Sequence, residues 1–217
     1  MCALDADGVD DFIGHGDIPG VDLAANLTAM LWLYADALNA GEGIFGKQNL
    51  GYLYTPGANA DRVGAGQSAV WEKTTPAASL VTGAWAHWAF TYDGSQPAAD
   101  RVLIYKDGVS QTLAGTNPGA TLSDEGTLAV EVGGSLNVVA GFIDAKIAHV
   151  RLWTATLTPA QVFQEMNSAR PVRTADLVLA APYDDATNAA DYSGAKNTGA
   201  VTGALQVAGP PVSYGGD

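Results

Sequence analysis

The chain has one cysteine among its 217 residues, Cys2, which excludes an internal disulfide framework and a cysteine-rich zinc site. Basic residues are scarce: ten Lys and Arg stand against 23 Asp and Glu, giving a formal net charge of −13. No basic run of the kind that neutralises phosphates occurs, and no apolar stretch reaches the roughly 20 residues that cross a bilayer. These absences predict that neither nucleic acid nor a membrane is a partner.

Motifs that mark common enzyme sites are missing as well. The five Glu residues do not form the Glu-x-Asp-x-x-Glu pattern that places two carboxylates on one face of a strand in glucanases. The three His residues lack the spacing of a metal-binding pair, and neither a Gly-x-Ser-x-Gly elbow nor a phosphate-binding loop occurs. The sequence therefore predicts a protein that is not an enzyme, with structural roles for its histidines.

What the chain has in abundance is turn residues. Its 26 Gly and 10 Pro residues, together with Asn and Asp, separate short segments rich in Val, Leu, Trp, Tyr and Thr. This spacing is typical of many short antiparallel strands and predicts an all-β, antiparallel two-sheet β-sandwich. The predicted strands lie near 10–14, 28–36, 43–48, 50–55, 67–73, 78–82, 85–92, 101–106, 109–114, 127–133, 143–153 and 176–183.

Two local signals are specific. Asp107-Gly108 stands between two alternating segments and predicts a tight type I′ hairpin. One short helix is predicted near 158–168, because Thr158 can cap it, Pro159 suits its first position, and Gln161 is placed for a capping box.

No fixed-period repeat or linker divides the chain. Residues 1–207 are predicted to form a single domain, and the Gly/Pro-rich residues 208–217 an exposed tail.

Three stretches, read in order, resemble the laminin-G-like jelly rolls of the concanavalin A-like lectin/glucanase superfamily. They are "ALDADGVDDFI" at 3–13, "GAWAHWAFTYDGSQPAADRVLIYKDGV" at 83–109 and "GFIDAKIAHVRLWTATLTPAQVFQEMN" at 141–167. The resemblance implies a concanavalin A-like jelly roll in which the first stretch forms a hairpin. Residues 176–207 resemble a segment that commonly precedes the first motif, so they either complete the sandwich beside its first strand or form a flap. Completion is favoured, because the first strand would otherwise be an unprotected edge.

Aspartate is concentrated in the first 17 residues, but its spacing does not fit an EF-hand loop. Relatives in the superfamily carry Ca²⁺ on oxygen ligands from separate loops. The resemblance therefore implies a structural Ca²⁺ site in which Asp7, Asp10 or Asp11 shares the ion with Asp144. The alternative is that these carboxylates only accept hydrogen bonds in turns.

Sugar binding would require exposed aromatic rings. Four tryptophans lie in alternating strand patterns and are predicted to be core residues: Trp32, Trp85, Trp88 and Trp153. Four other rings are predicted to lie at the surface, where they are candidates for carbohydrate binding: Tyr52, Tyr54, Trp71 and Tyr92.

Two functions from different classes are compatible with these features. The first is a structural component of a bacteriophage virion surface, such as a capsid decoration, fibre or tail protein. This role is suggested by a lectin-like domain that shows no leader, anchor or catalytic motif. It predicts a homo-oligomer, made in the host cytoplasm, that docks on a shell or tail protein. The second is a Ca²⁺-dependent carbohydrate-binding module or lectin of a bacterial extracellular protein, with a cell-surface glycan as ligand.

Overall fold

The computed structural model describes residues 2–134, 141–184 and 189–210. In chain order the strands are β1 Cys2–Asp7, β2 Phe12–Gly14, β3 Asn26–Ala35, β4 Glu42–Lys47, β5 Leu50–Tyr54, β6 Gly64–Gln67, β7 Trp71–Thr74, β8 Trp85–Asp93, β9 Val102–Lys106, β10 Val109–Ser110, β11 Ala114–Gly115, β12 Val130–Val132, β13 Gly141–Phe142, β14 Asp144–Trp153, β15 Leu177–Ala181, β16 Ala200–Thr202 and β17 Leu205–Ala208. The helix, α1, spans Pro159–Met166.

These strands form two sheets, as predicted. Sheet A has the order β10-β9-β8-β3-β14-β1-β17, and β15 pairs with the far half of β14. Sheet B has the order β11-β7-β6-β5-β4-β12-β2-β16, and β13 pairs with β4. Every pairing is antiparallel except that of β13 with β4. The predicted all-β sandwich with one short helix is therefore confirmed.

Strand alternation decides which side chains fill the space between the sheets. In β3, the inward residues are Leu27, Ala29, Leu31 and Leu33, which belong to the main hydrophobic core. The residues between them point to the outer face of sheet A. The same alternation in β8 buries Trp88, Phe90 and Tyr92.

Helix α1 covers one end of the outer face of sheet A. Thr158 Oγ1 accepts a hydrogen bond from the Gln161 backbone N–H, and Gln161 Oε1 accepts one from the Thr158 N–H, which is the predicted capping box. Val162 packs into a second apolar cluster with Met30 and Trp153. Farther along this outer face, Trp32, Tyr34 and Trp85 stay partly exposed.

The two ends of the chain meet in sheet A. Strand β17 pairs with β1, with Cys2 opposite Ala208, and β16 pairs with β2 in sheet B. Segment 176–207 thus supplies strands to both sheets, which is the favoured placement rather than a flap. The predicted tail begins inside β17, since Ala208 is still paired, and residues 211–217 lie outside the described residues.

Three local predictions need correction. The first stretch is not a hairpin, because β1 lies in sheet A and β2 in sheet B. The strand predicted over 67–73 is two strands, β6 and β7, joined by a turn. No strand forms over 78–82, where Thr82 makes only an isolated bridge to Ala35. The Asp107-Gly108 turn, with φ values of 49° and 77°, is the predicted hairpin between β9 and β10.

Candidate functional site

Three of the four predicted metal ligands come together at one corner of sheet A, and the fourth, Asp144, lies beside them. Asp7, Asp10 and Asp11 each place a carboxylate oxygen within 4.8 Å of the other two. Asp144 lies opposite Asp7 in the pairing of β1 with β14. The turn depends on Gly8, whose φ is +76° and where a Cβ would lie 2.9 Å from the Cβ of Asp144. We call Asp7, Asp10, Asp11 and Asp144 the acid corner.

Like charges crowd this corner. Burial raises the pKa of Asp11, a hydrogen bond from the Asp7 N–H (3.1 Å) lowers it, and the carboxylates of Asp7, Asp10 and Asp5 raise it further. Asp7 uses one oxygen to accept the N–H of Val9 at 2.9 Å.

The pKa of Asp144 is raised as well. Burial is the largest cause, and the charges of Asp36, Asp5 and Asp7 act in the same direction against the opposing effect of Lys146. Hard cations such as Ca²⁺ bind clustered carboxylate oxygens and complete six to eight ligands with carbonyls or water. The donor set of the acid corner fits such an ion, whose charge would relieve the mutual repulsion.

Beside the acid corner, three aromatic rings stand on the outer face of sheet A. Trp32, Tyr34 and Trp85 are partly exposed, and we call them the aromatic face. The rings of Tyr34 and Trp85 have centroids 5.7 Å apart, and Trp32 meets the ring of His87 edge-on at 5.5 Å. The rings are therefore fixed against neighbours while one side remains open.

Charged groups continue this surface toward the acid corner. Lys146 Nζ lies 4.8 Å from the centre of the Tyr34 ring, 3.6 Å from Asp5 Oδ1, and in hydrogen-bond contact with Asp36. Partial burial lowers the pKa of Lys146, but the hydrogen bond to Asp36 and the nearby acidic charges outweigh it, so the pKa is raised. The ammonium group therefore stays charged.

The strand register shows how these groups are arranged. Trp85, Tyr34, Lys146 and Asp5 are successive cross-strand partners, so they form one row across β8, β3, β14 and β1. Adjacent strands lie about 4.8 Å apart, and the next row on the same face is about 6.6 Å away. That next row contains the Asp7–Asp144 pair of the acid corner. The aromatic face and the acid corner thus form one continuous surface.

The aromatic predictions are partly wrong. The supposed surface rings are buried, with exposed fractions of 0% for Tyr52 and Tyr92, 1% for Tyr54 and 4% for Trp71. Three of them fill the core between the sheets. Tyr54 instead packs against Gly64 and donates its hydroxyl to Glu72 at 2.9 Å.

The core predictions hold for Trp88 and Trp153, which are 1% and 0% exposed. They fail for Trp32 and Trp85, which point outward. One signal in the sequence favours the outward position of Trp32: it shares its strand parity with Asn26, Thr28 and Tyr34, whereas the intervening positions are aliphatic.

A two-layer antiparallel jelly roll with one short helix and an outer surface of rings and charges defines a lectin-like β-sandwich. The chain belongs to the concanavalin A-like lectin/glucanases superfamily, whose laminin G-type family profile matches residues 7–163.

Solved structures resemble this fold at low sequence identity. A proposed carbohydrate-binding protein from Bacteroides ovatus superposes with a TM-score of 0.76 and 19% identity, over 99% of this chain and 62% of its own. This chain therefore spans less than two thirds of that protein. A SAP-like pentraxin from Limulus polyphemus gives a TM-score of 0.49 with 12% identity, over 75% of this chain and 80% of its own. Domain 4 of the arabinanase AbnA from Geobacillus stearothermophilus, solved with arabinotriose, gives 0.47 with 16% identity, over 75% of each chain.

A search of curated protein sequences found no match. Within the described ranges, no helix is long and apolar enough to cross a membrane.

Proposed function

We propose that this protein is a non-catalytic carbohydrate-binding domain whose ligand lies on the outer face of sheet A, across the aromatic face and beside the acid corner. The observation that carries the proposal is the cross-strand row in which the paired rings of Trp85 and Tyr34 continue into Lys146 and Asp5. The lectin-like family and the likeness to a proposed carbohydrate-binding protein agree with it.

The chemistry of this surface suits a sugar. The open sides of the aromatic rings offer an apolar surface on which the C–H face of a pyranose or furanose ring can stack. Lys146 carries hydrogen-bond donors only, whereas the carboxylates of Asp5 and Asp36 accept. Sugar hydroxyls do both, so they match a surface that places donors and acceptors beside an aromatic ring.

The test is binding of an oligosaccharide array, followed by calorimetry on the strongest binder. We expect Tyr34→Ala and Trp85→Ala each to weaken binding at least about fivefold, the effect of losing one stacking contact. Phe163→Ala is the matched control, because Phe163 is an exposed ring on α1, 57% accessible and outside the aromatic face. An array without binding, or equal loss in all three variants, would overturn the proposal. Release of reducing sugar from the bound oligosaccharide would overturn its non-catalytic part.

We also propose that the acid corner binds Ca²⁺ through Asp7, Asp10 and Asp11, with Asp144 at its edge. Three converging carboxylates and the raised pKa of Asp11 support this proposal. Ca²⁺ bound to the folded state would raise the melting temperature of chelator-treated protein by mass action.

The calcium site is tested with Ca²⁺ alone. We expect titration of chelator-treated protein to release heat and to raise the melting temperature, and Asp11→Asn to abolish both effects. Asp100→Asn removes the same charge from an exposed position elsewhere and should leave both unchanged. No heat and no thermal shift in the unmodified protein would rule the site out.

The virion-surface role, with its homo-oligomer and its shell or tail partner, stays a prediction from the sequence. Mass spectrometry of purified phage particles and light scattering of the isolated protein would test it. An extracellular location is the alternative that fits the glycan-binding proposal better.

A further inference from the structure

A groove of about 730 Å³ opens farther along the outer face of sheet A. Its floor is made by the ends of β14 and β15, including Val150, Leu177 and Ala180. One wall is the segment that follows α1, and the other contains Pro182 and Tyr192. Its volume is within the roughly 300 to 1,000 Å³ of small-ligand sites. We call it the post-helix groove.

A buried ion pair builds the first wall. Arg151 Nη1 lies 2.7 Å from Glu165 Oε2, and Arg151 Nη2 donates to the Ser168 carbonyl at 2.5 Å. Glu165 also accepts the backbone N–H groups of Val172 and Arg173, at 3.0 Å and 2.6 Å. These bonds hold the segment between Ser168 and Arg173 against the sheet, so the wall is preformed.

Hydrogen bonds to β15 anchor the second wall. The Tyr192 N–H donates to the Ala180 carbonyl at 2.8 Å, and Asp191 accepts the Ala180 N–H at 2.9 Å. The side chain of Tyr192 nevertheless remains exposed, with 62% of the residue accessible. A tyrosine ring has only two side-chain torsions to fix, so it loses little entropy when a ligand stacks on it.

Polar groups complete the lining. Arg170 is exposed and makes no hydrogen bond or ion pair with any described residue, so its guanidinium donors are available. Asp184 lines the groove as an acceptor, and Thr174 adds a hydroxyl. A donor-only group, an acceptor-only group and an aromatic ring form the combination that matches neighbouring hydroxyls on a sugar ring. Arg170 and Asp184 carry opposite charges, so together they favour neither an anionic nor a cationic ligand and suit a neutral one.

The groove continues from the aromatic face. A small hollow beside Trp32, lined also by His87, His149 and Arg151, shares His149 and Arg151 with the groove. Lys146 and His149 are three residues apart in β14, so they lie at most about 10 Å apart along the strand.

We propose that the post-helix groove is a second sugar subsite and that the ligand is an extended, neutral oligosaccharide or polysaccharide chain. This inference rests on the proposed function, because it extends the same surface. One sugar unit would stack at the aromatic face, the chain would pass over the surface beside Trp32, and a later unit would stack on Tyr192 with hydroxyls on Arg170 and Asp184. A terminal monosaccharide would not use both ends.

The test compares ligand lengths within one neutral series. Arabino-, xylo-, manno- and cello-oligosaccharides of two to six units, with oligogalacturonates as the acidic series, are titrated calorimetrically into the intact protein. We expect affinity to rise at least tenfold between two and six units of the best neutral series. We expect Tyr192→Ala and Arg170→Ala to weaken binding of the six-unit ligand about fivefold or more and to leave the two-unit ligand unchanged. Tyr34→Ala should weaken both.

Two controls and three outcomes complete the experiment. Lys196→Ala removes a positive charge from an exposed residue outside the groove lining, and Phe163→Ala removes a remote exposed ring; both should have no effect. Binding that does not depend on length, or that survives both groove substitutions, overturns the second subsite and leaves the proposed function standing. Preference for oligogalacturonates overturns the neutral class. Failure of every series to bind overturns the proposed function, and this inference with it.

Discussion

Arg151 and Glu165 form an ion pair that is almost fully buried, with 4% and 1% of their side chains exposed, beneath the end of helix α1. Burying two charges costs desolvation energy, which only close geometry and further hydrogen bonds offset. Here the carboxylate accepts from Arg151 and from the N–H groups of Val172 and Arg173. The pair therefore fixes a loop that has little apolar surface of its own.

Arg151→Met should destabilise the protein strongly. The substitution leaves the Glu165 carboxylate buried without its cation, which costs about 3 to 5 kcal/mol of unfolding free energy. Urea denaturation measures the loss. Asp176→Asn breaks the exposed Arg173–Asp176 pair and serves as the control, with an expected cost of about 1 kcal/mol or less. Similar small losses in both variants would contradict the structural role given to the buried pair.

Alanine substitutions at Gly203 and Gly194 distinguish the effect of backbone strain from that of steric crowding. Both have positive φ, +75° and +91°, but a Cβ on Gly203 would lie 1.5 Å from Asp11 Oδ1, whereas one on Gly194 would meet nothing within 4 Å. Gly194→Ala should lower the free energy of unfolding by about 1 to 2 kcal/mol, because a residue with a side chain is strained in the left-handed conformation. Gly203→Ala should lower the free energy of unfolding clearly more than Gly194→Ala does, as measured by chemical denaturation. Gly203→Ala should also weaken Ca²⁺ binding, because Asp11 must move. Equal stability losses in Gly203→Ala and Gly194→Ala would refute this placement of Asp11.

The lowered pKa values of three histidines predict how the stability of the fold depends on pH. His15 donates from Nδ1 to the Asn197 carbonyl at 2.9 Å, so its Nε2 accepts from the Tyr183 hydroxyl at 3.0 Å. Burial lowers the pKa of His15, and it lowers that of His87 to about 3 and that of His149 to about 4. His87 and His149 are therefore neutral in the folded protein near pH 6, and folding favours the neutral form of His15.

In the unfolded chain these histidines titrate near their ordinary pKa of about 6.5. The unfolded state then binds more protons below that pH, so the stabilisation is complete above about pH 7 and decreases progressively as the pH falls toward the folded pKa values of about 4 and 3. Melting temperatures at pH 7, 6 and 5 should fall in that order. His15→Gln should reduce the pH slope of the unfolding free energy by up to about 1.4 kcal/mol per pH unit. An unchanged slope would show that His15 does not titrate as described.

The capping box of α1 is the remaining stability prediction. Thr158→Ala removes the hydroxyl that accepts the Gln161 N–H and should cost about 1 kcal/mol. Thr158→Ser keeps a hydroxyl at the same position and should retain most of the stability. Guanidinium denaturation of the two variants distinguishes them, and equal losses would contradict the cap.

Local sequence patterns were sufficient to predict much of the fold. The Asp107-Gly108 hairpin and the helix that begins at Pro159 depend on backbone conformations set within four or five residues, so their sequence patterns were sufficient. Burial of aromatic rings was harder. Strand β5 is buried at all five positions, so alternation could not separate an inner from an outer ring in Tyr52 and Tyr54.

The two candidate sites also differ in how far the sequence could predict them. Asp7, Asp10 and Asp11 are near neighbours in sequence, and the family resemblance linked them to Asp144. The post-helix groove unites Arg170 and Tyr192 only through the packing of distant segments. Neither residue is marked by a local pattern, so sequence reasoning did not find the groove.

The pairing of β1 with β17 also constrains how the protein is made. Cys2 faces Ala208, so the two residues that must meet are separated by almost the whole chain. The meander of β8, β9 and β10 joins near neighbours and can form while synthesis continues. The edge beyond β1 must wait until residue 208 has left the ribosome, and contacts of such long range form slowly because loop closure comes first. During that interval β1 is an open edge, and the nascent chain then depends most on protection from association with other chains.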